Sequence, residues 1–284
     1  MTHTILWKKT SATKMTHKHL DANHDSNDAL HRMRTAGSIS ISPELFEKLY
    51  LNPQSRVKGD LRKKFANPTP VGLTGFLVCV TPLAIELMGW RGAGGNGAAT
   101  IGSYFWFGGL LMILGMIGEW VIGNTFSMVV FGTFGSFWLS WGATLQPFYN
   151  AAGAFATEQD PTGTNATMFK SSIAFWHLTL SFVCLIFLVC SLRTNIVFVG
   201  IFLFLVPNFA CLAASGWVES AVTASHLHVA AGALCFVVAA CGWWIYIAIM
   251  LASLDFPWSL PVGDLSHIIK GASERRTKDP EHTV

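Results

Sequence analysis

Six stretches of this chain, near residues 70–89, 100–120, 125–146, 171–192, 195–216 and 228–254, are apolar over about the 20 residues that a helix needs to cross the roughly 30 Å hydrocarbon layer of a membrane. Inside that layer no water takes up unpaired N–H and C=O groups, so a spanning segment must satisfy its own backbone. The pattern therefore predicts an all-α integral membrane protein with six transmembrane helices. Composition agrees: only 12% of the residues are charged, against about 25% in soluble globular proteins, which excludes an ordinary soluble fold.

The charges lie at the ends. Of 19 Lys and Arg, 12 precede Asn67, and between Asn67 and Asp255 only Arg91, Lys170 and Arg193 remain. The domain plan that follows is a tail over 1–66, a six-helix domain over 67–256 and a tail over 257–284. Both tails share one side of the membrane. Lys and Arg number 17 on that side and 2 on the other, so the positive-inside rule puts both termini in the cytosol. The net charge of +3 belongs to these flanks, which predicts contact with the bilayer surface and no nucleic acid partner.

No signal peptide is expected before the first segment, because Lys8 and Lys9 follow Ile5–Trp7 at once. Residues 1–66 are polar and aperiodic, which predicts disorder apart from a surface helix near 43–50. The Ser38–Pro43 run reads as a solvated linker with phosphorylation as the functional alternative. Loop 147–170 carries the glycosylation pattern Asn165-Ala166-Thr167, on the side where that modification takes place. The six cysteines fall inside apolar segments with no CxxC pair and read as packing residues.

Small residues spaced by four mark faces where membrane helices approach closely. Segment three offers Gly132, Ser136 and Ser140; segment two Gly108, Gly109, Gly115 and Gly118; segment one Gly72 and Gly75. Pro207-Asn208 interrupts segment five and predicts a kink there, which either lines the pathway or is purely structural.

The residues before and inside segment one read Asn67-Pro68-Thr69-Pro70-Val71-Gly72-Leu73, then Thr74-Gly75-Phe76. This resembles the NPAPLGL signature of the acetate uptake transporter family, departing at Thr69 and Val71. Gly118-Glu119-Trp120 with Gly123-Asn124-Thr125-Phe126, and the run Phe131–Ser140, resemble two further motifs of that family. Together they cover about residues 65–262, and the ending Leu260–Gly263 is also family-like.

The resemblance implies a six-helix protomer in a homohexamer, with a pore in each protomer. It implies a hydrophobic constriction of a Phe, a Tyr and a Leu, which by position fall on Phe76, Phe134 and Leu205, with Phe standing where the family has Tyr. It also implies movement of acetate and related small monocarboxylates, of the dicarboxylate succinate, or of ammonia across a membrane, and the long polar tail and the Asn165 pattern point to the plasma membrane.

Local chemistry adds detail. Asn67 stands where an N-cap belongs and Pro70 falls in the first turn, so the start of segment one, with Pro68, Thr69, Gly72 and Leu73, is expected to offer N–H groups to a carboxylate. Glu86, Glu119 and Glu219 lie at segment ends. Glu119, with Asn124 nearby, serves either a structural bond or proton coupling. His177 reads as a packing histidine or a titrating one. His226-Leu227-His228 lacks zinc spacing, and no nucleophilic triad, phosphate loop or nucleotide fingerprint occurs, so no metal, no cofactor and no enzymatic activity are expected. The functions left are a permease or channel for acetate, an ammonia or ammonium exporter, and an acetate-responsive membrane sensor that signals through the N-terminal tail.

Overall fold

A computed structural model of the chain describes residues 64–265. Among these residues six helices are long and apolar enough to span a membrane: α1 Thr69–Leu87, α2 Ala98–Val121, α3 Thr125–Leu145, α4 Thr167–Ser191, α5 Ile196–Trp217 and α6 Ala221–Ser253. Each expected segment falls on one of them. α6 begins at Ala221 rather than near 228, because the Ser220 hydroxyl accepts from the Thr223 N–H at 3.3 Å and caps an earlier turn. The expected 1–66 tail, the Ser38–Pro43 run and the helix near 43–50 lie outside the described residues, except 64–66.

The connections follow from residues that tolerate special backbone angles or supply caps. Gly89 (φ 73) ends α1 and Gly123 (φ 76) turns α2 into α3, a left-handed conformation that costs glycine little. Asn195 caps α5 by accepting from the Phe198 N–H at 2.9 Å. The start of the expected C-terminal tail is docked: Trp244 Nε1 donates to the Pro261 carbonyl (2.8 Å), Ile196 N–H to Gly263 (2.9 Å) and Leu265 N–H to Thr194 (3.0 Å). The family-like ending thus pins the α4–α5 turn, with Val262 fully buried.

Two prolines, Pro82 in α1 and Pro207 in α5, sit inside continuous helices. In α2 the stretch Tyr104–Leu111 widens into a π-helix, which apolar periodicity does not reveal.

α2 packs on α3 and α1, α1 on α6, α6 on α5, and α5 on α4. Aromatic contacts close the ring between α3 and the α4–α5 pair: Phe137 stacks on Trp176 (5.4 Å), meets Phe209 edge-on (5.6 Å), and Phe134 lies 6.4 Å from Phe187. Large apolar side chains also cover the outside, among them Trp106, Leu114, Phe182 and Leu203. That surface suits lipid and not water. Ser136 and Ser140, expected on a packing face, are exposed; Gly135 instead meets α2, where an added Cβ would lie 3.0 Å from Ile113.

Candidate functional site

The start of α1 is sealed against the end of α2 by glycines. A Cβ on Gly118 would stand 2.4 Å from the Pro68 Cβ, and one on Gly115 would stand 2.9 Å from the backbone of Gly72. Only hydrogen fits at either place. Thr69, Gly72 and Leu73 are buried in this contact, while Asn67 is half-buried at its edge.

The cap sits one residue further along than expected. Pro68 (φ −80, ψ −16) already has helical angles, and Asn67 reaches past it to accept from the Thr69 N–H at 2.9 Å. The backbone donors expected to be open to a ligand are engaged, since Val71 and Gly72 N–H both turn to the Pro68 carbonyl (3.0 and 3.5 Å). In their place stands a carboxyl group of the protein. Glu119 is fully buried, and its Oε1 accepts from the Thr69 hydroxyl at 2.5 Å. The Asn124 amide donates to Ser127 Oγ (3.0 Å), and its N–H meets the main-chain oxygen of Glu119 (2.8 Å).

Further along the bundle axis, α1, α3, α5 and α6 enclose a narrow cavity with ≈ 30 Å³ open to the centre of a water-sized sphere. Phe76, Phe134 and Leu205 all line it, with the Phe76 and Phe134 ring centroids 6.4 Å apart. From chain direction these three lie toward the start of α1, and Leu87, Trp138 and Leu212 lie toward the loop between α3 and α4. Gly242 of α6 lets Phe76 and Leu77 approach, since a Cβ there would lie 2.8 Å from Leu77. The walls are apolar but for Asn208, whose amide donates to the Ala231 carbonyl at 2.7 Å, and the Trp138 indole, whose Nε1 is buried without a partner among the described residues.

The remaining sequence candidates stand apart from this axis or behind it. His177 is buried and stacks on Phe209 at 6.2 Å, so it backs the cavity wall. Glu86, at the end of α1, faces the Gly97 N–H and the Thr100 hydroxyl, and Thr100 Oγ1 lies 3.0 Å from the hydroxyl of the fully buried Tyr104. No group of three metal-ligating side chains occurs among the described residues. Asn165 is exposed in its loop, and Asp160 Oδ2 accepts from its N–H at 2.7 Å.

Asn208 lies on the cavity wall, the pathway-lining position that Pro207-Asn208 offered as one reading of its kink. Sequence reading missed Trp138 as a cavity residue, because one tryptophan in an aromatic-rich segment looks like any other.

Comparison with known proteins places the chain. The model of the GPR1/FUN34/yaaH family matches residues 49–267. Protein alcS of Aspergillus fumigatus is 44% identical over 234 residues, covering 81% of this chain and 86% of that protein. The acetate transporter protein patA of Aspergillus clavatus is 31% identical over 205 residues, 71% of this chain and 79% of its own length. The structure of the bacterial acetate channel SatP superposes with a TM-score of 0.56 at 22% identity, covering 70% of this chain and 99% of that one, which is a likeness of fold. The chain is an integral membrane protein and belongs to the GPR1/FUN34/yaaH family.

Proposed function

We propose that this chain is a permease or channel for acetate and related small monocarboxylates, and not an enzyme. The observation that carries the reading is the cavity: Phe76, Phe134 and Leu205, far apart in sequence, line one narrow space inside a closed ring of helices. The names of relatives support the substrate, patA being an acetate transporter and the structurally similar SatP an acetate channel.

In this reading the acid meets the start of α1, where Asn67, Pro68, Thr69, Gly72 and Leu73 shape the entry. It then passes Phe76, Phe134 and Leu205 one molecule at a time. Glu119 shares the Thr69 hydroxyl with the arriving carboxyl, and two carboxyl groups at one donor favour holding a proton between them. Proton coupling through Glu119 follows from that repulsion.

Protomers assemble as a homohexamer. The exposed apolar face of α2, the least buried of the six helices, and the 690 Å³ groove it forms with Leu139 and Gln146 of α3 support an assembly surface there. The protein lies in the plasma membrane with both termini cytosolic, a reading supported by the Lys and Arg asymmetry and by exposed Asn165 on the opposite side.

Ammonia movement is the second reading. It is favoured by the names of two relatives in Saccharomyces cerevisiae, ammonia transport outward proteins 2 and 3.

The test is counterflow of labelled acetate in proteoliposomes. Protein-dependent exchange is expected, with Leu205→Trp reducing it about tenfold or more by filling the cavity. Folded protein that exchanges no acetate, or exchanges it equally well with Leu205→Trp, would refute the reading.

A further inference from the structure

On the outside of the bundle Phe105, Trp106, Leu110 and Ile113 of α2, with Leu139 and Gln146 of α3, line a groove of ≈ 690 Å³. It follows the π-helical stretch Tyr104–Leu111, a backbone geometry that is rare in general and common at functional sites. Ile101 and Gly102 complete it at the end where α2 begins. Gly102 is exposed, and a Cβ added there would meet nothing within 4 Å, so no neighbour among the described residues requires a glycine at that place. Glycine weakens a helix; here it keeps the groove open to something outside the described chain.

Three features set the chemistry of that occupant, and the first is length. From Ile101 to Ile113 the helix rises about 18 Å, and the hydrocarbon of one leaflet is about 15 Å deep. A helix of a second copy runs through both leaflets, whereas an occupant matched to one leaflet is a lipid. Gln146 is the C-cap of α3, and the next two side chains, Phe148 and Tyr149 beyond Pro147, are 91% and 67% exposed, as suits aromatic rings at the headgroup level. The groove thus lies in the leaflet on the side of the 147–166 loop, the outer one when both termini are cytosolic.

The second feature is polarity. None of the lining residues is charged, so a phosphate headgroup gains no Lys or Arg there. The main chain of Gln146 is taken by the turn after α3: its N–H donates to the Ala143 carbonyl (3.1 Å), and its own carbonyl accepts from the Tyr149 and Asn150 N–H groups (3.1 and 3.3 Å). Its side-chain amide is left as the polar group at the water end, a donor and an acceptor suited to one neutral hydroxyl. The third feature is stiffness. An acyl chain loses conformational freedom when it is fixed in a groove, and a fused-ring skeleton has little to lose.

We infer that this groove is a sterol site, in which the rigid ring system lies along α2 with its hydroxyl at Gln146. Leu114, Ile117 and Val121, exposed further along α2, are left for contact between protomers, so the sterol fills one part of the assembly surface. The site is separate from the cavity inside the bundle, and its occupancy does not depend on what that cavity conducts.

The probe is a sterol with a diazirine on its ring system, photolysed in phosphatidylcholine proteoliposomes of the full chain and mapped by mass spectrometry. Labelling should saturate, fall on residues 101–113 and 139–146, and be displaced by unlabelled ergosterol. The methyl ether of ergosterol, which cannot donate, should displace it about two- to tenfold less well, the effect of one hydrogen bond. Gln146→Leu should remove that difference. Gly102→Leu puts a side chain into the groove without meeting the protein; it should cut labelling about tenfold or more while the thermal midpoint in sterol-free detergent stays unchanged.

Labelling that spreads over all six helices without saturating, or that persists in Gly102→Leu, would overturn the site. A phosphatidylcholine with the diazirine in its acyl chain that saturates the same residues and resists ergosterol would make the occupant an acyl chain. Sterol labelling found only in dispersed protomers and lost when copies assemble would give the groove to a second copy of the chain. Either result overturns the sterol assignment.

Discussion

Helices α1–α3 and helices α4–α6 solve the same packing problem in different ways. In lipid no hydrophobic force drives one helix against another, so contact must come from close fit and from hydrogen bonds. The first three use close fit between backbones. Gly75 lies where a Cβ would meet the Phe107 carbonyl at 2.4 Å, Gly115 touches Gly72, and Gly118 touches Pro68.

The last three rely more on side chains. Ser181 of α4 donates to the Val206 carbonyl at 2.9 Å, Asn208 of α5 donates to α6, and Phe175–Trp217 (4.9 Å) and Phe187–Phe202 (5.5 Å) fill between. Gly216 is a tight contact here as well, but Gly200 has Cys241 no nearer than 3.4 Å. The cavity is bounded by both kinds of wall. Phe76 and Phe134 stand on the stiff side and Leu205 on the side whose contacts can rearrange.

Glycine substitutions give the largest expected effect. Gly75→Ala forces a methyl group into a backbone carbonyl that cannot rotate away, and about 3 kcal/mol of destabilisation, at the upper end of overpacking, is expected. Gly200→Ala meets ordinary van der Waals distance and should leave the thermal midpoint of detergent-solubilised protein nearly unchanged. Equal midpoints for the two variants would erase the contrast between the halves.

Glu119 sharpens the comparison, because it is the buried polar tie within the glycine-packed half. Glu119→Ala leaves the buried Thr69 hydroxyl without its acceptor and should cost about 1–3 kcal/mol, the range for a buried group left unpaired. Glu119→Gln keeps an oxygen for Thr69 and removes the titratable carboxyl, so it should retain most of the stability and alter the pH profile of acetate flux. A Gln variant as unstable as the Ala variant would show that the Thr69 bond alone does not hold the α1 start. Ser181→Ala, in the other half, removes one neutral hydrogen bond and should cost about 1 kcal/mol on the same melting scale.

The contrast between halves was only partly legible in the sequence. The number of helices followed from apolar length alone, and Gly72, Gly75, Gly115 and Gly118 announced themselves as small residues within apolar segments. Ser136 and Ser140, in the four-residue spacing, are exposed, because small size permits close approach without compelling it, and which face turns inward depends on the neighbouring helix. Phe76, Phe134 and Leu205 came from family resemblance, and their meeting at one cavity depends on three helices at once. The engagement of the α1 donors was hidden for the same kind of reason. Whether an N–H at a helix start is open depends on where Glu119, fifty residues later, comes to rest.

The loop of residues 147–166 joins the two halves, and it holds the smallest expected effect. Asp160 organises it: one carboxylate oxygen accepts from the Thr162 hydroxyl (2.7 Å) and the other from the Asn165 N–H (2.7 Å). These bonds, Thr162 first, hold the Asp160 carboxyl below its usual range. A carboxyl depressed in this way supports the loop above its ordinary titration range and releases it as pH falls through the lowered value. Amide exchange at Asn165, corrected for intrinsic chemistry, should therefore quicken only in strong acid, and in Asp160→Ala it should be fast at every pH. The helices on either side have their own contacts, so the thermal midpoint should not move with this variant. A drop in midpoint with Asp160→Ala would mean that the loop fixes how α3 meets α4, and that the aromatic seam of Phe134, Phe137, Trp176 and Phe187 does not close the ring unaided.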